Sequence, residues 1–417
     1  MHNFREFLAE AKGGKNLHLE HIEEEIINYG IDGGRAALDF LRSLRNMLAG
    51  TSGSRVNMTV KWDGAPAIFA GIDPSDGKFF VAKKSVFNVN PILYKSIKDI
   101  NDDNLSAQLD SKFKIAFNEF KKLNIKGVIQ GDLMFTDDVS TTKIDGKTYY
   151  TFQPNTLVYA AEVNSDLGKQ INKAKIGVVW HTTYKGSDLQ DMSASFGVNI
   201  SNLNKPSSVW MDDATYKDVS GTANFTKSET DQVTKILSGV GSSFRKIKSS
   251  ELKKFLSMQD KSFSKSRAGG SFKTYLNQFI RSGTNFSVQN VKTLNYSMYV
   301  KKYYDEKVIS KLKSAKGREV KEQERDELVK QLISYDKLII NLVEFMQGLV
   351  SAKSIIVTKL NKVKQLTDIF IRTSNGYEVS NPEGYVAIDK SGKGAVKLVD
   401  RLEFSYNNFT AAKNWDK

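Results

Sequence analysis

Cysteine is absent from this 417-residue chain. Disulfides, thiolate metal sites and cysteine nucleophiles are therefore excluded, and a reducing compartment is compatible with the composition. Histidine is nearly as scarce: His2, His18, His21 and His181 are too few and too scattered for a multi-histidine metal centre. No run of eighteen apolar residues occurs. The apolar block at 338–350 is broken by Glu344 and flanked by Asp336 and Lys337, so no membrane span is expected. The N-terminus lacks the apolar h-region and small-residue cleavage site of a secretory signal. What is present resembles an ordinary globular chain, 40% hydrophobic and 26% charged, long enough for two or three domains.

The charge is unevenly placed. Of 61 basic and 47 acidic residues, 28 and 14 fall between residues 221 and 370, which leaves 33 of each elsewhere. The whole excess of +14 thus sits in one segment. That pattern suits a polyanion-binding module joined to a neutral one, or a helical domain with lysine-rich faces. Residues 272–304 interleave Lys273, Arg281, Lys292, Lys301 and Lys302 with Phe279, Phe286, Tyr296, Tyr299, Tyr303 and Tyr304. Such a mixture can bind single strands by stacking and phosphate contact, or can supply the aromatic core of a bundle.

Periodicity divides the chain. Phe4, Phe7, Leu8 and Ala11 share one face of a short helix, and helices are predicted over 17–28 and 33–49. His18, Glu20, His21 and Glu24 form a solvated polar face or a metal-like cluster. Residues 51–220 are rich in predicted strands (57–62, 67–71, 78–82, 127–135, 147–152, 157–163 and 175–182). Asp76-Gly77 and Asp145-Gly146 mark hairpin turns, and an amphipathic helix is expected at 109–122. From 221 to 370 the pattern is helical. Leu328, Leu332, Tyr335, Ile339, Leu342, Met346 and Leu349 make a heptad-like seam that suits a bundle core or a coiled-coil dimer. Strands return at 377–379, 384–388 and 395–399. The expectation is an α+β fold with mainly antiparallel sheets: helices at 13–50, a core of 51–220 plus 371–417, and a basic all-helical insertion at 221–370.

The chemistry concentrates at Lys61-Trp62-Asp63-Gly64. Val56, Met58 and Val60 alternate before it, so Lys61 ends a strand and Asp63 shares its face. A lysine can act as a covalent nucleophile when its surroundings lower its pKa, and a glycine lets a backbone or phosphate approach. The plainer reading is an exposed lysine beside a strand-ending turn.

This stretch resembles motif I, K-x-D-G, of the covalent nucleotidyltransferases: ATP-dependent DNA ligases, RNA ligases and mRNA capping enzymes. Further pieces follow in that family's chain order. Lys83-Lys84-Ser85 resembles motif Ia, Gly131-Asp132-Leu133 motif III, and Gly177-Val178-Val179-Trp180-His181 motif IIIa. Glu383-Gly384-Tyr385-Val386 resembles motif IV and Lys397-Leu398-Val399 motif V. The resemblance implies a ligase-type antiparallel-sheet domain, with ATP and Mg²⁺ as cofactors. It implies that Lys61 takes AMP, with Asp63 and Lys397 as further catalytic residues. Gly64, Lys84, Asp132, Trp180 and Glu383 would contact nucleotide, and Asp132 and Glu383 the metal. Lys83, Lys84, Lys273, Arg281, Lys301 and Lys302 are the candidate nucleic-acid contacts.

Three positions depart from the pattern. Pro66 stands where many members have arginine, Asp132 where glutamate is usual, and Val399 where a second lysine is usual. Eighteen residues follow Val399, too few for the OB-fold of DNA ligases and capping enzymes, so an RNA ligase is expected in preference to a DNA ligase. Alternatives are another nucleotidyl acceptor, or a catalytically inactive DNA-binding protein of a phage head. The N-terminus is similar to the capsid-targeting peptides of myovirus internal head proteins. That likeness implies a leader at 1–12, a head-maturation protease cutting after Glu10, a place inside the virion, and delivery to the host cytoplasm.

Overall fold

The computed structural model describes residues 20–50, 57–215, 224–362, 366–374, 376–388 and 395–402. The expected leader with Glu10, His2 and His18, and strand residue Val56, lie outside them.

The chain first forms a 3₁₀ turn, Ile22–Glu24, and the helix α1, Glu25–Leu48. Gly30 interrupts α1 with φ of 66°, where a side chain would be strained, so the two predicted helices appear as one kinked element. Ten strands follow: β1 (Asn57–Lys61), β2 (Ala67–Ile72), β3 (Phe79–Ala82), β4 (Val128–Phe135), β5 (Ser140–Ile144), β6 (Lys147–Phe152), β7 (Val158–Glu162), β8 (Ile176–Lys185), β9 (Ser193–Phe196) and β10 (Val209–Asp212). Among them lie α2 (Ile97–Asp102), α3 (Ala107–Phe120) and α4 (Asp166–Lys173). The helical segment holds α5 (Lys227–Arg245), α6 (Ser249–Ser262), α7 (Phe272–Arg281), α8 (Val288–Thr293), α9 (Tyr296–Tyr303), α10 (Ala315–Ile333) and α11 (Asp336–Asn361). Strands β11 (Asp368–Thr373), β12 (Gly376–Val379), β13 (Gly384–Ile388) and β14 (Ala395–Leu398) close the described fold.

Three sheets result. Their orders are β1-β13-β14, β10-β8-β4-β2-β3 with β9 beside β8, and β12-β11-β7-β6-β5. All pairings are antiparallel except β8 with β10. The mixed helical and antiparallel architecture agrees with the α+β expectation, and the late strands rejoin the first strand as the alternation required. The β5–β6 turn has positive φ at both Asp145 and Gly146, which suits the twist of a two-residue hairpin.

Alternation sets what each sheet buries. On β1, Met58 and Val60 face the large core with Tyr385, Ala387, Val396 and Leu398, leaving Thr59 and Lys61 on the opposite face. That core runs without a break into α1 and the helical segment, so the helices are continuous with the sheet that carries Lys61. On β4, Ile129 and Leu133 pack beneath α3 against Phe113, Phe117 and Phe120. Gln130 and Asp132 take the other face.

The heptad-like seam lies within one chain. It breaks at Ser334–Tyr335 between α10 and α11, and each of its residues is buried. Helix α11 is long and apolar enough by length and composition to cross a membrane. Here Leu342, Val343, Phe345, Met346 and Leu349 pack in the bundle, and Gly348 allows the close approach of Val240 on α5.

Gly384 is the tightest backbone position of the three-stranded sheet. Its φ is +152°, and a Cβ there would stand 2.4 Å from the Leu398 carbonyl oxygen and 2.6 Å from Val399 Cγ2. Gly384→Ala should therefore destabilise the protein by about 3 kcal/mol or more, from backbone strain plus overpacking, measured by urea denaturation.

Candidate functional site

Lys61 is the last residue of β1 and pairs across the ladder with Gly384. Glu383 immediately precedes β13, so the register alone brings the two side chains together. The Lys61 amine donates to Glu383 Oε2, and the side chains are 27% and 5% exposed. Burial presses the Lys61 amine towards neutrality, but Glu383, Asp132 and Asp63 outweigh it and hold its pKa above the usual lysine range. Burial pushes the Glu383 carboxyl up, against the pull of Lys61 and Lys397. The expectation of a lysine favoured as neutral amine is not met in the unliganded fold. The carboxylates around it outnumber the cations close by.

Asp132 lies on β4 between Ala67 of β2 and Val179 of β8. It acts electrostatically on Lys61, so the six-stranded and three-stranded sheets meet there. Their junction is fixed by the backbone. Val60 N–H donates to Ala214 O (2.9 Å), and Ala65 N–H and Leu133 N–H bond across to Leu133 O (3.0 Å) and Pro66 O (3.1 Å).

Trp180, expected to stack on a base, is instead fully buried on the α3 side of the sheet, edge-on to Phe120. Alternation puts it there with Ile176 and Val178, and a β-bulge follows it. Gln130 pairs with Thr182 and Gly131 with Trp180, so His181 is the extra residue. Its Nε2 lies 3.8 Å from Asp132 Oδ1. His181 belongs to the stretch that resembles motif IIIa, but its place at a bulge has no distinctive residue to announce it.

Lys397 is on β14, opposite Val386, which itself pairs with Thr59. Register therefore places Lys397 on the same sheet face as Lys61. Its side chain has no ion pair among the described residues. Burial, then the charge of Lys61, lower its pKa to about 8. Val399, at the place of a second lysine, is buried against Gly384 and packs in the core.

Asp63 is held by donors from the turn before β7. The Asn155 side-chain amide donates to Oδ1 (2.7 Å), and the Thr156 and Leu157 N–H groups donate to Oδ2 (2.8 and 3.0 Å). Its own N–H donates to Tyr159 Oη (2.7 Å). The carboxylate thus pins the turn before β7 rather than sharing a strand face with Lys61, because β1 ends before it. Gly64 is required by packing: a Cβ would stand 2.5 Å from Asp132 Cβ. Pro66 follows a cis peptide and contributes a carbonyl to the junction, with no cation in its place.

The basic candidates divide. Lys83 pairs with Asp103 (2.6 Å), and Lys273 pairs with Glu20 (2.7 Å) and Glu24 (3.0 Å), so both have local partners. Lys84 is exposed at the start of a 3₁₀ turn, and Arg281, Lys301 and Lys302 are exposed on the helical segment. The aromatic residues interleaved with them are mainly core. Phe279, Phe286, Tyr296 and Tyr304 are buried, and Tyr296 Oη donates to Gln259 Oε1 or Gly270 O, both 2.8 Å away. Glu20, His21 and Glu24 do not form a solvated face, since Glu24 is buried among cations.

Among the described residues no group of three or more histidines, aspartates or glutamates is disposed to hold a metal ion. Asp132 and Glu383 remain as two oxygen donors beside a lysine. Such a set suits a cation like Mg²⁺, which uses one or two protein carboxylates and completes its shell with phosphate and water.

Pulse acetylation read by mass spectrometry tests these charges. At pH 8 Lys397, near half-neutral, should react ahead of Lys61. Glu383→Gln removes the leading stabiliser of the Lys61 ammonium, so the Lys61 pKa should fall and its acetylation rise severalfold.

A family model described as a family of unknown function (DUF6267) matches residues 16–413. No curated protein and no solved structure matches the chain. The match spans nearly the whole chain, which therefore belongs to the DUF6267 family.

Proposed function

We propose that the protein is an ATP-dependent polynucleotide ligase of the covalent nucleotidyltransferase type, with Lys61 as nucleophile. One observation carries this reading. Lys61, Asp132, Glu383 and Lys397, four of the residues that the motif resemblance picks out, come from β1, β4, the residue before β13, and β14, and act on one another.

The Lys61 ammonium first gives up a proton to solvent, to which its side chain is 27% exposed. Its amine then attacks the α-phosphorus of ATP. A nitrogen–phosphorus bond forms, the bond to the β-phosphate oxygen breaks, and pyrophosphate leaves. Mg²⁺ would supply charge neutralisation on the phosphates, held by Asp132 and Glu383. When those carboxylates serve a cation they no longer stabilise the Lys61 ammonium, so substrate binding itself promotes the neutral amine. Lys397, without an ion pair among the described residues, would pair with the α-phosphate. A 5′-phosphate then takes AMP from Lys61, and a 3′-hydroxyl displaces it. The acceptor, RNA in preference to DNA, follows from the resemblance and from the surplus of basic residues at 221–370.

Incubation with α-labelled ATP and Mg²⁺ should leave denaturation-resistant label on the chain. Lys61→Ala should abolish it, and Lys397→Ala should slow labelling about a hundredfold. A wild-type chain without label, or label kept by Lys61→Ala, overturns the mechanism. A chase with 5′-phosphorylated RNA or nicked DNA assigns the acceptor.

The N-terminal resemblance supports a second proposal, that the protein is packaged in a phage head after cleavage by the head-maturation protease. Mass spectrometry of virion protein should find a chain beginning at Ala11. An intact Met1 there contradicts it.

A further inference from the structure

Strand β14 is the edge of the three-stranded sheet, paired only with β13 on one side. At its other side His21 makes a parallel bridge with Lys397 itself. The turn that follows His21 carries Glu23 and Glu24, both buried, into a chain of ion pairs. Lys353 of α11 approaches both oxygens of Glu23 (3.0 and 2.8 Å), with side chains 2% and 0% exposed. Arg401, four residues beyond Lys397, lies 2.8 Å from Glu24 and 4.0 Å from Glu23, and it donates to Asn277 of α7. Lys273 of α7 bonds Glu24 and Glu20.

We propose that this buried chain of charges is a positioning element. It clamps β14 between the N-terminal turn and the helical segment, and so seats the Lys397 amine on the face that carries Lys61. The inference rests on the ligase reading for its chemical consequence.

Two features point to seating rather than to stability alone. A buried ion pair gains little over a well-packed apolar pair, because desolvation offsets the attraction, whereas its directionality specifies one arrangement. Glu20, Glu23 and Glu24 also meet Lys273, Lys353 and Arg401 in the chain of pairs, while Lys397 makes no ion pair among the described residues. The surrounding charges agree. Burial acts against the Glu23 carboxylate, but Lys353 and Arg401 outweigh it and hold its pKa below the ordinary value. Burial, then Lys353, Arg401, Lys397 and Lys273, push His21 well below its usual range, so its ring adds no further positive charge at neutral pH.

The test replaces one buried pair by apolar groups of similar size, Glu23→Leu with Lys353→Met. That double variant should fold, with a melting temperature within about 5 °C of wild type. Its Lys61 labelling at saturating ATP should nevertheless fall about tenfold or more, because a misplaced phosphate contact slows the step. Hydrogen exchange at residues 395–398 should rise in parallel. Glu24→Gln, which weakens the pairs of that residue with Arg401 and Lys273, should shift both readouts in the same direction. A double variant that labels at the wild-type rate overturns the inference and leaves the ligase reading standing. If the wild type takes no label, the ligase reading falls. The clamp is then judged by exchange alone, and unchanged protection at 395–398 overturns it.

Discussion

The pairing of β1 with β13 is the constraint on which the rest depends. It joins residues more than three hundred positions apart and does so in one register. A slip by one residue would turn Met58 and Val60 out of the core and Lys61 into it. The same register sets Lys61 opposite Gly384 and beside Glu383. A left-over side chain at residue 384 has no space, so the position is held by the one residue without a Cβ. Geometry of the sheet and geometry of the site are thus one specification.

Around that pairing, the protein manages an unusual concentration of buried charge. Lys61 and Glu383 face each other with Asp132 near, and on the far side of β14 three acids meet three bases. In that second group each carboxylate meets a cation from a distant segment, whereas around Lys61 the carboxylates outnumber the cations. The helical segment is tied to the sheet both by this network and by a shared apolar core. A segment that looked like a detachable basic module is therefore structurally continuous with the strand that bears Lys397.

Much of the fold could be read in advance. Alternation marked β1, β4, β6 and β13 within a residue or two, and the Asp145-Gly146 dipeptide marked its hairpin. Short, polar β9 and β5 lack that signal, apolar β10 has only four residues to show it, and β11 was hidden at the end of the helical pattern. Lys61, Asp132, Glu383 and Lys397 were picked out by the motif resemblance, and the regular period of their neighbours put them on or beside strands. The anchoring of Asp63 was not legible, since it depends on Asn155, Thr156 and Leu157 presenting donors from another sheet. Trp180 follows Ile176 and Val178 to the α3 side of the sheet, and a bulge at His181 turns the later residues of β8 to the other face.

The sequence by itself determined the local order: which stretches are strands, which are helices, where the excess positive charge lies, and which residues carry reactive groups. Those follow from period, turn chemistry and composition, all of which act over a few residues. Only the tertiary structure decided the company each group keeps. It turned Lys273 and Lys83 into partners of carboxylates, drew the tyrosines of the helical segment into its core, and placed Glu24 and Glu23 under a strand near the other end of the chain. Burial and Coulomb attraction depend on distances through space, and nothing local in the chain encodes them.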